Sequence, residues 1–464
     1  MVLFVVPHPT GIAGSTAIAE YLKKHYQHIG GFLYKNSFGE ISEVRREGHT
    51  KASRQIGRLL RSLKRYTTIG NLPYSLKKYA VSFQWYQRKQ QKQTFLELEK
   101  RYRKVQGLLE KYHVRLIAFY GTRGISNVPV IKAGIEKSIP MVVLPLAEHA
   151  TVETLLPPRR VNPLYWVELF PELAQEFRNF MVYDPQTNRH VFFYPAFAIQ
   201  ALKEFGLIPP KPWIQGSGFS QIKVMVGGQE EHNRLLKEGL ETDNLVITGR
   251  PEHDKLFHLF QQKSELKSSI YQRYGFKMDS PLIVVALPQL WEHGVLDWGA
   301  HKEHIQELMQ VLRSLEVNIL ISLHPKMDAK NYTFIEDSYQ AVIAQERLFD
   351  ILPAADVFVA SYSSTVQWAM LCEIPTIVED FVGLRYSVFD RYPGVKIVRN
   401  SQEFAQALRK VLQDAEHRRK LIADMRRFKS QIAPFDGKAL HRIAESIVVE
   451  VERNRRRNEN AQTL

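Results

Sequence analysis

A histidine-proline pair and a run of hydroxyls stand at the ends of two apolar stretches, and together they have the chemistry to hold a phosphate. Ile319-Leu320-Ile321-Ser322-Leu323-His324-Pro325 sets an imidazole where a buried strand is predicted to end. That rim is where open α/β sheets take ligands, and Ser322 shares it. Pro325 stops the strand and restricts the backbone of His324 to extended conformations, so the ring is held ready to donate a hydrogen bond to a phosphate oxygen. The next strong strand, Asp356 to Ala360, runs into Ser361-Tyr362-Ser363-Ser364-Thr365 and then into the helical pattern Val366-Gln367-Trp368-Ala369-Met370-Leu371. A helix start offers unpaired N–H groups and the positive end of a dipole, and serine or threonine hydroxyls both cap it and add donors for an anion. Capping explains one hydroxyl; Ser361, Ser363, Ser364 and Thr365 supply four. After the following strand, Pro375 to Val378, Glu379 brings a carboxylate to the same rim, suited to ribose hydroxyls.

Such loops need a parallel sheet beneath them. In the second half, apolar runs at Pro281–Ala286, Val317–Leu323, Ala355–Ala360, Pro375–Val378 and Gly394–Val398 are separated mostly by helical patterns. The first half repeats the alternation with Val2–Val6, Val114–Tyr120, Pro140–Leu146, Ile222–Val226 and Asn244–Thr248. Strands alternating with helices predict parallel sheets covered on both faces. Two insertions interrupt the first half. The segment 45–112 is basic, with Ile56, Leu59, Leu60 and Leu63 at helical spacing and a break at Asn71-Leu72-Pro73, and predicts a helical pair. The segment 155–213 is rich in aromatics and prolines, which suit a local core or an acceptor surface.

A chain of 464 residues is long enough for two cores, and 44% hydrophobic with 24% charged residues describes a packed globular protein. Cys372 is the single cysteine, which excludes an intrachain disulfide and a cysteine-only zinc site and fits a reducing compartment. The opening Met1-Val2-Leu3-Phe4-Val5-Val6-Pro7 reads as a buried strand and lacks the features of a secretory signal. No apolar run approaches the ~20 residues of a membrane-spanning helix. The formal charge of +15 calls for anionic partners. Much of the excess lies between Arg45 and Lys104, where an anionic glycan or lipid surface fits as well as a solvated helical face. No nucleic-acid reader motif accompanies it, so no specific nucleic acid is expected.

Taken with His324-Pro325, the stretches Leu352-Pro353-Ala354-Ala355-Asp356, Ser363-Ser364-Thr365 and Leu371-Cys372-Glu373-Ile374-Pro375 resemble the C-terminal domain of GT-B glycosyltransferases. The resemblance is to bacterial enzymes with CMP- or CDP-linked donors: sialyl- and polysialyltransferases, capsule Kdo transferases and CDP-glycerol glycerophosphotransferases. In these an HP motif and an SS/T motif hold the cytidine nucleotide's phosphate. His324 and Pro325 match the first motif, and Ser363, Ser364 and Thr365 the second. Val246-Ile247-Thr248-Gly249-Arg250-Pro251 with Asp254 resembles a TG-x-P-x-x-D segment shared by GT-B transferases and UDP-GlcNAc 2-epimerases. The GTRPE-like segment of the epimerases follows their first strand, whereas Gly121-Thr122-Arg123-Gly124 lies far downstream here. The acidic pair that follows the serine-glycine loop in epimerases is also missing, which sets epimerase chemistry below transfer.

The resemblance implies an α/β GT-B fold, two Rossmann-like domains facing each other across a cleft, with helical insertions in the N-terminal domain. Residues 1–260 would bind acceptor, 261–440 would bind the nucleotide donor, and 441–464 would form a terminal helix and basic tail. It implies transfer of a sialic acid- or Kdo-like sugar from a cytidine-nucleotide donor to a glycan or lipid-linked acceptor in bacterial surface polysaccharide synthesis. A UDP-sugar transferase or epimerase-like enzyme, and a non-catalytic nucleotide- or glycan-binding protein on the same frame, stay open. An acceptor hydroxyl needs a base, and the first-half loop ends offer His8, Glu148, His149 and Glu153, with His8 and Glu148 ranked first. Imidazole, hydroxyls and a helix start can handle a phosphate without a divalent ion, so neither metal nor cofactor is expected beyond the nucleotide-activated substrate. The expected location is cytoplasmic, peripheral at the inner face of the membrane through the basic insertion.

Overall fold

Short apolar and β-branched runs form the strands, and in both halves of the chain every main-sheet strand lies parallel to its neighbours. The computed structural model describes residues 1–6, 10–26, 31–35, 74–147, 149 and 151–462. They divide into two units, the first comprising Met1–Val226, Glu231–Ile247 and Leu440–Leu464, the second Gly227–Glu230 and Thr248–Ala439. The helix Pro251–Gln261, placed before residue 261 by its sequence, belongs with the second unit.

The strands of the first unit are β1 (Val2–Val6), β2 (Gly31–Lys35), β3 (Leu116–Phe119), β4 (Met141–Val143), an antiparallel pair β5 (Met181–Asp184) and β6 (Arg189–Phe192), then β7 (Ile222–Val226) and β8 (Leu245–Ile247). The main sheet runs β2-β1-β3-β4-β7-β8. Because side chains alternate along a strand, Leu3 and Val5 face Val105 and Leu109 of the helix Tyr74–Lys111, with Val130 and Ile131 of Val128–Glu136. Val2, Phe4 and Val6 face the other way, onto Ile18 and Leu22 of Thr10–His25. The helix Ala439–Gln462 closes that second face with Ile443, Ala444, Ile447, Val448 and Val451, one apolar stripe at helical spacing.

Of the basic insertion, the helix Tyr74–Lys111 is described; its first part lies outside the described residues. The aromatic insertion makes its own core: Phe177, Phe180, Phe192, Phe193, Phe197 and Trp213 are buried together with Leu98 of that helix. Among the described residues, no helix is long and apolar enough to cross a membrane.

The second unit adds β9 (Leu282–Ala286), β10 (Asn318–Ser322), β11 (Val342–Ile343), β12 (Val357–Ala360), β13 (Thr376–Glu379) and β14 (Val395–Val398), in the order β11-β10-β9-β12-β13-β14. Their near-continuous apolar runs are those of a sheet buried on both faces. Ile283, Val285, Ile319, Ile321 and Val359 lie under Ile305, Leu308, Met309 and Leu312 of the helix Trp298–Arg313. Leu282, Val284, Leu320 and Phe358 meet Ile270 and Tyr271, Val366 and Met370, and Met425 from helices on the opposite face. Gly228 is required by close approach, since a Cβ there would sit 2.1 Å from the carbonyl oxygen of Ile432.

Asp356 locks β9 to β12. Its carboxylate accepts from the Leu282 N–H at 2.8 Å, from Lys267 Nζ at 2.6 Å and from Arg418 at 3.1 Å, while its own N–H donates to the Leu282 carbonyl at 2.8 Å. Burial pushes this carboxyl up, but Lys267, the Leu282 N–H and Arg418 outweigh burial and hold it below the usual carboxylate range. A depressed folded-state pKa contributes stability above the unfolded pKa and loses it as pH falls through the folded value. Asp356→Asn is therefore expected to lower the free energy of unfolding by about 2–3 kcal/mol at neutral pH. The gap from wild type in urea titrations should close as pH falls below about 4. A gap that persists unchanged at pH 3 would rule out the ionised carboxylate as its source.

Candidate functional site

In the second sheet the strand order reverses between β9 and β12, so the connections leaving those neighbouring strands diverge and open a crevice at their carboxyl ends. The sequence-predicted donor residues follow the adjoining strands there. Ser322 ends β10 and Ser361 follows β12, both buried, and the Ser322 carbonyl accepts from the Leu287 N–H at 3.2 Å just past the end of β9.

His324 is exposed, two residues beyond β10. Its carbonyl accepts from the Met327 N–H at 2.8 Å, and its Nδ1 accepts from the Lys326 N–H at 3.2 Å. An accepting Nδ1 carries no proton in the neutral ring, so the geometry assigns the hydrogen to Nε2, which stays available as a donor. Partial burial lowers the pKa of the imidazole, Lys326 and His293 lower it further, and Glu292 opposes them. At neutral pH His324 is an uncharged, oriented donor.

The hydroxyl loop divides its work. Ser363 Oγ accepts from the Thr365 N–H at 3.3 Å and from Thr365 Oγ1 at 2.9 Å, so Thr365 spends its hydroxyl orienting Ser363, whose own hydrogen is left to point elsewhere. Ser364, exposed at the helix start, makes no capping bond with its side chain. The helix Thr365–Leu371 has only 7 residues, so hydroxyls and first-turn N–H groups, more than a long dipole, are what it offers an anion. Tyr362 donates to Asp380 Oδ2 at 3.3 Å; partial burial, then Asp380, push its phenol up to about 12. Asp380 in turn accepts from the N–H groups of Leu384 at 2.6 Å and Arg385 at 3.0 Å, folding the loop after β13 over itself.

Glu379 does not stand on the rim as its sequence position suggests. It is 1% exposed, with Oε2 3.3 Å from His304 Nε2. Burial raises its pKa against the opposing pull of His304. A side chain so enclosed braces β13 against the helix Trp298–Arg313. Of the base candidates, His8 and Glu148 lie outside the described residues. His149 is buried and donates its backbone N–H to Glu231 Oε1 at 3.0 Å, while Glu153 is exposed on Val152–Leu155.

The sequence reading missed the loop after β9. Tyr332, fully buried, donates to Glu292 Oε1 at 2.7 Å and meets His301 Nε2 at 3.2 Å. This pair fixes Glu292, one of the charges His324 feels. The rule that picked out His324, polar residues just past a buried strand, also picks out Glu292 and His293 once β9 is seen to border the crevice.

Residues 230–449 match the family described as CDP-glycerol:poly(glycerophosphate) glycerophosphotransferase, a stretch that contains His324 and the whole Ser361–Thr365 loop. The fold is of GT-B type, and residues 230–449 are similar to the CDP-glycerol glycerophosphotransferase family. No curated protein sequence matches it. Among solved structures, a putative UDP-N-acetylglucosamine 2-epimerase from Listeria monocytogenes is similar with a TM-score of 0.51 and 11% identity, over 97% of this chain and 96% of that one. That likeness shows the fold alone. The UDP-GlcNAc 2-epimerase from Neisseria meningitidis bound to UDP-GlcNAc gives 0.49 and 14% over 96% and 99%. The wall teichoic acid polymerase TagF soaked with CDPG gives 0.38 and 16% over 50% and 59%.

The charges around His324 make a signed prediction. Its NMR titration midpoint should lie below the ordinary histidine value near 6.5, rise in Lys326→Ala and fall in Glu292→Gln. A midpoint unmoved by either substitution would show that neither charge acts on the ring.

Proposed function

We propose that this chain transfers a group from a cytidine-nucleotide donor to a glycan or lipid-linked acceptor in the synthesis of a surface polymer. The observation that carries the reading is the family similarity over residues 230–449, which takes in both phosphate-suited loops at the carboxyl rim of the second sheet. It favours CDP-glycerol as donor, with CMP-sialic acid and CMP-Kdo tested beside it. With CDP-glycerol, an acceptor hydroxyl oxygen bonds to the β-phosphorus, the bond from that phosphorus to the bridging oxygen breaks, and CMP leaves with the electron pair. The hydroxyl proton passes to a base, for which His8 and Glu148 remain the proposed candidates.

In this reading His324 Nε2–H and the hydroxyls of Ser363 and Ser364 stabilise the charge that grows on the departing CMP, with Thr365 orienting Ser363. Ser322 and Ser361 support the loops from beneath, and Pro325 fixes the turn. No divalent ion is called on. Residues of the second unit hold the donor and those of the first the acceptor. Attachment to an anionic membrane is part of the proposal, supported by the helix Tyr74–Lys111, where Trp85 is 63% exposed with Lys89 Nζ 5.2 Å from its ring centroid. Arg88, Lys89 and Lys92 are exposed near it, each worth roughly 1 kcal/mol close to an anionic surface.

A thermal-shift series with CMP, CDP, CDP-glycerol, CMP-sugars, UDP, GDP and ADP tests the donor. Cytidine nucleotides are expected to raise the melting temperature, since a ligand at ~100 times its dissociation constant stabilises by about 2.7 kcal/mol. His324→Ala and Ser363→Ala should each weaken that binding by about tenfold or more, as expected for loss of a hydrogen bond to a charged group worth roughly 1.5–3 kcal/mol. A response to UDP alone overturns the cytidine assignment, and no nucleotide response overturns the donor site. The acceptor base is tested by CMP release from CDP-glycerol, which His8→Ala or Glu148→Gln should abolish while nucleotide binding persists.

A further inference from the structure

The helix that follows the hydroxyl loop is too short to orient itself. Thr365–Leu371 has 7 residues, well below the length at which an isolated helix holds its shape. Val366, Ala369, Met370 and Leu371 bury it in the core of the second unit, but apolar contacts are non-directional and set its rotation about its own axis only loosely. Rotation matters here, because it swings the hydroxyls of Ser363 and Ser364 together.

Gln367 supplies the missing direction. It is a polar residue only 5% exposed among those apolar neighbours, and both ends of its amide are used. Oε1 accepts from Arg250 Nη1 at 3.1 Å, and Nε2 donates to the Tyr392 hydroxyl at 3.1 Å. Tyr392 passes its own hydrogen to Glu230 Oε2 at 2.8 Å. The next residue of the helix is tied to the same neighbouring segment, since Trp368 Nε1 donates to Glu252 Oε1 at 3.2 Å, two residues from Arg250. All these partners belong to the second unit.

From the amide, two routes lead to the loop. The Gln367 N–H donates to the Ser364 carbonyl at 3.0 Å, and the Val366 N–H to the Ser363 carbonyl at 3.1 Å. The Tyr392 ring lies 5.5 Å from that of Phe389, which stacks at 6.2 Å on Tyr362. Burying an amide costs free energy unless its bonds are made, and a bonded amide fixes a direction that a leucine of similar size cannot.

We propose that Gln367, held by Arg250 and Tyr392, is a positioning residue of the donor site, which sets the rotation of Thr365–Leu371 at which Ser363 and Ser364 both meet the phosphate. The role rests on the donor-site reading above, and its signature is coupling to Ser363. CMP, with UDP beside it, is titrated calorimetrically onto the full chain as wild type, Gln367→Leu, Ser363→Ala and the double variant. Gln367→Leu is expected to weaken CMP binding by roughly tenfold, about as much as removal of a phosphate-binding hydroxyl itself. In that background Ser363→Ala should cost less than about threefold more, because a hydroxyl already turned away has little left to lose. Gln367→Glu, which keeps an acceptor for Arg250, should fall between wild type and Gln367→Leu.

Melting of the unliganded chains follows the fold. Should Gln367→Leu not fold, Tyr392→Phe keeps the ring, deletes one of the two amide bonds and is expected to show the same loss of binding and the same coupling to Ser363→Ala on a smaller scale. Wild-type affinity in both Gln367→Leu and Tyr392→Phe overturns the positioning role, and so does a full additive loss from Ser363→Ala in either background, which would mark Gln367 as a packing residue alone. A wild-type chain that binds neither CMP nor UDP overturns the donor-site reading and this role with it.

Discussion

The pairing of β9 with β12, held by one carboxylate, is the constraint on which the second unit depends. These strands are the first and fourth of their sheet in chain order, and only when they are neighbours does the strand order reverse and leave a crevice. Asp356 enforces that adjacency at the amino end, accepting from the first residue of β9 and from cations on Lys263–Tyr274 and Ala415–Ile432. His324 and the Ser361–Thr365 loop follow the opposite, carboxyl ends of the strands, so the stabilising charge and those polar groups do not compete for space. A partly buried carboxylate with several partners suits this task, because losing any one leaves a desolvated charge poorly compensated.

Both sheets have polar groups beyond their strands, and the two sets differ in charge. The second sheet offers uncharged donors: an imidazole whose proton is assigned to Nε2, and hydroxyls of which one is oriented by another. Neutral donors can follow charge that grows during reaction without first binding a strongly solvated anion. The first sheet carries guanidiniums, those of Arg123 and Arg159, that are fixed by carbonyl oxygens and an aromatic face.

The aromatic insertion gains its meaning from this contrast. Phe193 and Trp213 belong to its buried core, yet the face of each ring and the carbonyl of each residue also hold the arginines. One hydrophobic cluster thus stabilises the fold and sets the geometry of Arg123 and Arg159.

Strand-forming runs such as Val2–Val6 and Leu282–Ala286 were legible because burial on both faces demands continuous apolar residues, and the helix from Ala439 because its apolar stripe repeats at helical spacing. Less was legible where that demand is weak: β11 has two residues, and the hairpin β5-β6 sits inside an irregular aromatic segment. Residue types and their order sufficed to put His324 and Ser361–Thr365 at strand ends, since proline and serine act on their immediate neighbours. Which of those groups face outward was not a local question. Glu379 ends its strand and His324 comes two residues after its own, yet packing against His304 encloses Glu379, while Tyr332, ten residues past β10, arrives to fix Glu292. The sequence by itself determined the elements and the chemical inventory at their ends, because those depend on neighbours along the chain. Only the tertiary structure decided which side chains are enclosed and which stay exposed, because burial depends on neighbours in space.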